Sequence, residues 1–220
     1  WSSDVCSSDL PVQSLIRFRL LVDKSFRKIE WKNRVARQIA AGPQERMISM
    51  YSVNMPTMDS VARFKAAMDS DKGALGPFMI GTDPAFVEAA GYAGYDFVLL
   101  DMEHGTTTFQ TLPHLIRAAN VAGVCPVVRV PRGTDIWIDQ ALDVGAGAIM
   151  IPQIDTAEQA RAAVSAAKFS PVGTRGTCRF VRSAGFGAVP GSEYFSKAQD
   201  TVVILQAEGR KAVENLDEIL

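Results

Sequence analysis

A few polar residues of the kind that do chemistry recur in this 220-residue chain, each just after or at the end of a short apolar run. Asp101-Met102-Glu103-His104-Gly105 follows DFVLL's apolar stretch, Arg129 lies within PVVRV, Pro152-Gln153 follows AIMI, and Gln206-Ala207-Glu208-Gly209 closes TVVIL. Asp143 ends the amphipathic stretch before AIMI. A guanidinium cannot shed its charge and must be paired or wet if buried, so Arg129 inside an apolar run is a candidate site residue. His104, Glu208 and Asp143 each have an ordinary alternative: a loop histidine satisfied by backbone, a helix cap, and cover for the turn at Gly145. Their joint placement argues for a site, since surface polar residues have no reason to gather at the same end of successive runs.

The residue types narrow the chemistry. A Schiff-base aldolase needs a lysine projecting from a strand into a dry pocket, and none of the apolar runs contains one. A GxSxG nucleophile elbow is absent, and Cys125 has no adjacent histidine to make it a thiolate. What remains is a carboxylate at a strand end, able to hold a hard divalent ion, with an arginine and a histidine beside it. That set suits metal-assisted chemistry on a carbonyl.

The elements that must position these groups follow from the hydrophobic pattern. After Gly76-Pro77, apolar runs of four to seven residues alternate with amphipathic stretches joined by brief turns, the signature of βα units. Strands are expected at FMIG (78–81), DFVLL (96–100), PVVRV (126–130), AIMIP (148–152) and TVVILQ (201–206). Helices are expected over 84–93, 110–122, 134–144 and 156–168, with a further one starting at Lys211. Thr156 and Gln159 have the spacing of a capping box. The runs are apolar on both faces, as in a parallel sheet covered on each side. In a (β/α)8 barrel the reacting groups sit at the C-terminal ends of the strands, where the residues above fall. An open doubly wound sheet is the competing fold, but no GxGxxG follows the first strand and no P-loop lysine motif is present. GFGAVPG (185–191) has the wrong glycine spacing for such a motif and reads as a loop.

Composition sets the outer bounds. With 47% hydrophobic and 21% charged residues, the chain can bury a sizeable core. A net charge of -1 lacks the basic excess that a phosphate-neutralising partner requires, so nucleic acid is not an expected partner. The three cysteines, Cys6, Cys125 and Cys178, form no CxxC pair and indicate neither a disulfide framework nor a cysteine zinc site, which favours a reducing, cytoplasmic location.

The first 58 residues read differently from residues 59–220. WSSDVCSSDL repeats Ser-Ser-Asp without an apolar period and resembles translated adapter sequence. Between Pro11 and Met50 stand nine basic residues against three acidic ones, and the only apolar run, LIRFRLLV, is interrupted by Arg17 and Arg19 and is too short to span a membrane. A non-native or untranslated leader is expected over 1–58, with Met47, Met50, Met55 and Met58 as candidate starts and the regular domain beginning near Ser60, where VARFKAAM has helical spacing. The stretch from Phe78 to Leu220 is short of the roughly 250 residues of a complete barrel, so an incomplete α/β (β/α)8 TIM barrel with about five of eight βα units is expected.

Five strings, GYDFVLLDMEHG (94–105), PVVRVP (126–131), ALDVGAGAIMIPQIDTAEQA (141–160), SPVGTRG (170–176) and LQAEGRKAVENLDEIL (205–220), resemble in order and spacing the HpcH/HpaI family of metal-dependent pyruvate aldolases. The resemblance spans roughly 60–220. It implies that His104 of the EHG motif is the catalytic base, that Asp143 of the LDVGA motif raises its basicity, that Arg129 of the VRVP motif stabilises the oxyanion and binds substrate, that Gln206 touches the 2-oxo acid, and that Glu208 binds the metal. It further implies a divalent ion (Mg²⁺, Mn²⁺ or Co²⁺) with a second ligand, an aspartate, expected beyond Leu220. The chain departs from the family's usual QIET by reading Gln206-Ala207-Glu208-Gly209. The implied reaction is reversible cleavage of a 4-hydroxy-2-oxo acid into pyruvate and an aldehyde by a homo-oligomer, a hexamer in the family. His104→Ala and Arg129→Ala are then expected to abolish pyruvate formation and leave the fold intact. Two alternatives stand beside this reading: a citrate-lyase-like enzyme acting on CoA thioesters, and a non-catalytic incomplete barrel.

Overall fold

In the computed structural model, residues 60–220 are described; the leader expected over 1–58 lies outside them. The elements run α1 (Ser60–Asp69), β1 (Phe78–Met79), α2 (Pro84–Tyr92), β2 (Phe97–Asp101), α3 (Leu112–Ala122), β3 (Cys125–Arg129), α4 (Asp135–Asp143), β4 (Ala148–Ile151), α5 (Ala157–Ala167), a 3-10 segment (Arg182–Gly187), α6 (Gly191–Gln199), β5 (Val202–Leu205), α7 (Arg210–Glu214) and α8 (Leu216–Ile219). The five strands form one parallel sheet in sequence order, β1-β2-β3-β4-β5. This is the βα pattern expected of an incomplete TIM barrel.

Alternation along each strand divides the side chains between two layers. Val98, Leu100, Val128, Ile149, Ile151 and Leu205 face the helices, where they pack with Leu115 and Ile116 of α3, Ile138 of α4 and Ala163 of α5. Leu99, Cys125, Val127, Ala148, Met150, Val202 and Ile204 form the second layer on the opposite face, closed by Phe64 of α1. Phe64 also meets the ring of Phe97 edge-on. Because both faces are buried, the strands read as continuous apolar runs.

Local signals set the helix ends. Asp83 caps α2 by accepting from the Ala85 N–H at 2.9 Å, with Pro84 at the first helical position. The expected capping box at α5 is present: Thr156 Oγ1 accepts from the Gln159 N–H while Gln159 Oε1 accepts from the Thr156 N–H. The helix expected from Lys211 is broken at Asn215 into two short pieces. Asn215 instead donates its side-chain amide to the Asp155 carbonyl at 2.9 Å, tying the segment to the start of α5. The stretch 185–191, expected as a loop, begins inside the 3-10 segment, where Gly185, Phe186 and Gly187 all have positive φ. Among the described residues no helix is long and apolar enough to cross a membrane.

Candidate functional site

The site begins with the register of β2 and β3. Asp101 and Arg129 are paired Cα to Cα, so their side chains leave the sheet on the same face, one layer above Leu99 and Val127. Arg129 donates from Nε to Asp101 Oδ1 at 2.9 Å and from Nη2 to Oδ2 at 2.6 Å, a two-pronged ion pair with both groups buried. Its guanidinium also lies over the Phe78 ring, 5.1 Å from the centroid.

Burial pushes the Asp101 carboxyl up, but it is outweighed by the hydrogen bonds and charge of Arg129 and by the Glu103 and His104 N–H groups, so the net direction is below the usual carboxylate value. Burial likewise works against the charge on Arg129. The hydrogen bond and charge of Asp101, with the charges of Glu103 and Glu208, override it and hold the guanidinium above its ordinary value. Arg129 is a fixed cation.

The loop after β2 supplies the next groups. The Asp101 carboxylate accepts from the N–H groups of Glu103 and His104, which turns the chain sharply at the strand end. Gly105 closes that turn so tightly that a Cβ would stand 2.3 Å from the Asp101 carbonyl oxygen and 3.0 Å from that of Ile80. Glu103 folds inward, and its Oε2 is buried 3.3 Å from Arg129 Nη1. His104 stays at the surface with 70% of its side chain exposed, its Nε2 3.7 Å from Glu103 Oε2.

Strands β4 and β5 complete the end of the sheet. Gln153 donates its backbone N–H to Glu208 Oε1 at 3.1 Å and its side-chain Nε2 to Glu103 Oε1 at 3.2 Å. Gln206, buried at the end of β5, donates Nε2 to Glu208 Oε2. Glu103, His104, Arg129, Gln153, Gln206 and Glu208 thus gather at the C-terminal ends of the strands.

Asp143 is not brought to His104 within the chain. It terminates α4, and the turn that follows returns to the start of the sheet, where the Gly147 N–H donates to the Pro126 carbonyl. There Arg175 holds Asp143 Oδ1 at 2.8 Å. The carboxylate beside His104 in this chain is Glu103.

Asp101, Glu103 and Gln153 stand in the polar strings at the strand ends, but sequence reasoning assigns none of the three a role of its own. A signal for Asp101 exists in retrospect, because a buried arginine on one strand requires a counter-charge at the facing position of its neighbour. Gln153 joins residues 50 and 55 positions away in the chain, and no local pattern carries that information.

Oxygen donors suited to a hard cation are present. Glu103 Oε2 and Gln206 Oε1 are buried without a hydrogen-bond partner, and Glu208 adds a second carboxylate. Among the described residues no group of three His, Cys, Asp or Glu side chains has metal-binding spacing. The carboxylates of Glu103 and Glu208 and the amide oxygen of Gln206 are oxygen donors of the kind that hard divalent cations accept.

Comparison with known proteins gives matches along the same stretch. Residues 75–220 match the family described as HpcH/HpaI aldolase/citrate lyase. A 2-dehydro-3,6-dideoxy-6-sulfogluconate aldolase of Pseudomonas putida is 42% identical over 146 residues, which is 66% of this chain and 56% of that protein. A 2-keto-3-deoxy-L-rhamnonate aldolase of Klebsiella pneumoniae is 39% identical over 159 residues, 71% of this chain and 59% of that protein. Among solved structures, an HpcH/HpaI aldolase/citrate lyase family protein of Burkholderia cenocepacia superposes with a TM-score of 0.66 at 32% identity, covering 72% of this chain and 63% of the other. The chain thus spans little more than half the length of the curated relatives it matches.

Proposed function

Since the chain belongs to the HpcH/HpaI aldolase/citrate lyase family, we propose that the cluster at the strand ends is the pyruvate-forming half of an aldolase site, which cleaves a 4-hydroxy-2-oxo acid into pyruvate and an aldehyde. The observation that carries this reading is the rigid Asp101–Arg129 pair standing beside His104 and the Glu103, Gln206 and Glu208 oxygens. A retro-aldol step removes the proton from the 4-hydroxyl, breaks the C3–C4 bond and sends its electron pair toward the 2-oxo oxygen as the aldehyde leaves; the resulting enolate is protonated at C3 to give pyruvate.

Each residue has a task in that step. His104, exposed and next to Glu103, takes the hydroxyl proton; imidazole is the side chain that most often moves protons in catalysis. Arg129 places a fixed positive charge where the oxyanion develops, pre-oriented by Asp101 so that little reorganisation accompanies reaction. Gln206, which donates to Glu208, touches the 2-oxo acid in this reading. Glu208, with Glu103 and Gln206 beside it, would hold a divalent ion (Mg²⁺, Mn²⁺ or Co²⁺), which when bound supplies a Lewis acid for the substrate carbonyl. Asp143 takes no part in this set within one chain.

The test is release of pyruvate from 4-hydroxy-2-oxo acids, followed by coupled NADH oxidation, with and without chelator. It is run on the 220-residue chain and on a chimera that adds the remaining length of the Pseudomonas putida relative. Chelator-sensitive pyruvate release supports the reading. Activity confined to malyl-CoA or citramalyl-CoA would assign a thioester lyase instead, and no activity in either protein would leave a non-catalytic barrel.

A further inference from the structure

Gln153 is one of two non-glycine residues with positive φ among those described, at 56°. This left-handed conformation is unfavourable for a side chain with a Cβ. Its neighbours impose it. The Gln206 N–H donates to the Ile151 carbonyl at 2.9 Å, and the Ile154 N–H donates to the Gln206 carbonyl at 3.1 Å. The β4–β5 ladder therefore closes on both sides of a two-residue step made by Pro152, which has no N–H, and Gln153. The left-handed turn directs the Gln153 N–H to Glu208 Oε1 rather than back into the ladder.

Glycine would hold that backbone without the strain and would keep the N–H. What glutamine adds is Nε2, which reaches across the end of the sheet to Glu103 Oε1 at 3.2 Å. The two carboxylates, from the loops after β2 and β5, are thereby tied through one residue. Gln153 occupies one oxygen of each; Glu103 Oε2 accepts no hydrogen bond but stands 3.3 Å from Arg129 Nη1, and Glu208 Oε2 is held by Gln206.

We propose that Gln153 is a positioning residue that sets the separation and orientation of Glu103 and Glu208 for a divalent cation. The inference rests on the reading of Glu208 as a cation ligand. Groups that orient metal ligands typically contribute 10–100-fold to affinity.

The experiment titrates the full 220-residue chain with Mn²⁺, the free ion being read by electron paramagnetic resonance, and records thermal unfolding by circular dichroism. Gln153→Gly is expected to bind Mn²⁺ about 10-fold more weakly than the parent, with a melting midpoint no lower because the backbone strain is relieved. Gln153→Val, a β-branched residue that resists positive φ, is expected to lose both contacts and bind more weakly still. Equal Mn²⁺ affinity in the parent and Gln153→Gly, or a loss accompanied by a collapse of the Gln153→Gly midpoint, overturns the inference and leaves Glu208 as a ligand. Absence of Mn²⁺ binding both in the parent and in the chimera that adds the remaining length of the Pseudomonas putida relative overturns the cation reading itself, and this inference with it.

Discussion

Asp101 and Arg129 face one another in register across β2 and β3 and share two hydrogen bonds with neither group exposed to solvent. Removing one partner of a buried pair strands the other's charge, at a cost of about 3–5 kcal/mol. Arg129→Ala is therefore expected to lower stability by that amount, measured from the urea midpoint, as well as to abolish any pyruvate release. The sequence-based expectation that Arg129→Ala leaves the fold intact is revised by this geometry. The same pair gives a pH signature. The folded Asp101 carboxyl lies below its unfolded value of about 3.9, so its contribution is complete above that pH and is lost as pH falls through the lower folded value. The stability difference between the parent and Asp101→Asn should shrink in that acid range; a gap that stays constant would contradict the pairing.

His104→Ala should behave in the opposite way. The side chain is largely exposed, and the single contact to Glu103 at 3.7 Å is long. Its loss should change stability by no more than about 0.5 kcal/mol while removing the proposed base. Full turnover by a folded His104→Ala chimera would exclude the role.

Gly105→Ala tests the turn that presents His104. The added methyl meets two backbone carbonyls rather than a side chain that can swing aside, so the loop must shift, at a cost of about 1–3 kcal/mol. Calorimetry should show a lower midpoint. An unchanged midpoint would mean that the turn has room the structure does not give it.

Asp139→Asn is expected to stabilise the protein near neutral pH. Burial, opposed by the charge of Arg175 and aided by those of Asp143 and Asp135, pushes the Asp139 carboxyl above its ordinary value, and its buried Oδ1 has no hydrogen-bond partner. A raised folded pKa means that the ionised carboxylate works against folding at neutral pH and that protonation relieves it as pH falls. The midpoint of Asp139→Asn should exceed the parent's at pH 7, with the gap narrowing toward pH 4 and below.

The strands were legible because burial on both faces makes them continuous apolar runs, and Arg129 was legible because it interrupts one. The α6 helix was not, since GSEYFSKAQ buries only Tyr194 and has too little apolar pattern to stand out. Asp101, at the strand end, reads locally as the start of a polar loop; its burial follows only from the register with Arg129. Asp143 illustrates the converse. The resemblance implies a shared task with His104, but a helix between parallel strands runs back to the N-terminal ends of the strands, and Arg175 meets Asp143 there. The tie made by Gln153 depends on three separate βα units closing on one another.

The alternation that lifts Asp101 and Arg129 above one apolar layer also bears on how the sheet assembles. A one-residue slip of either strand would turn its charged end toward Leu115, Ile116 and Ile138 in the helix layer, since side chains change face with every residue. A slipped hydrophobic strand could still find apolar neighbours on either side, whereas a slipped carboxylate or guanidinium would meet no partner there. The charged end of the sheet therefore also acts as its alignment mark during folding, penalising the misregistered pairings that uniformly apolar strands would otherwise tolerate.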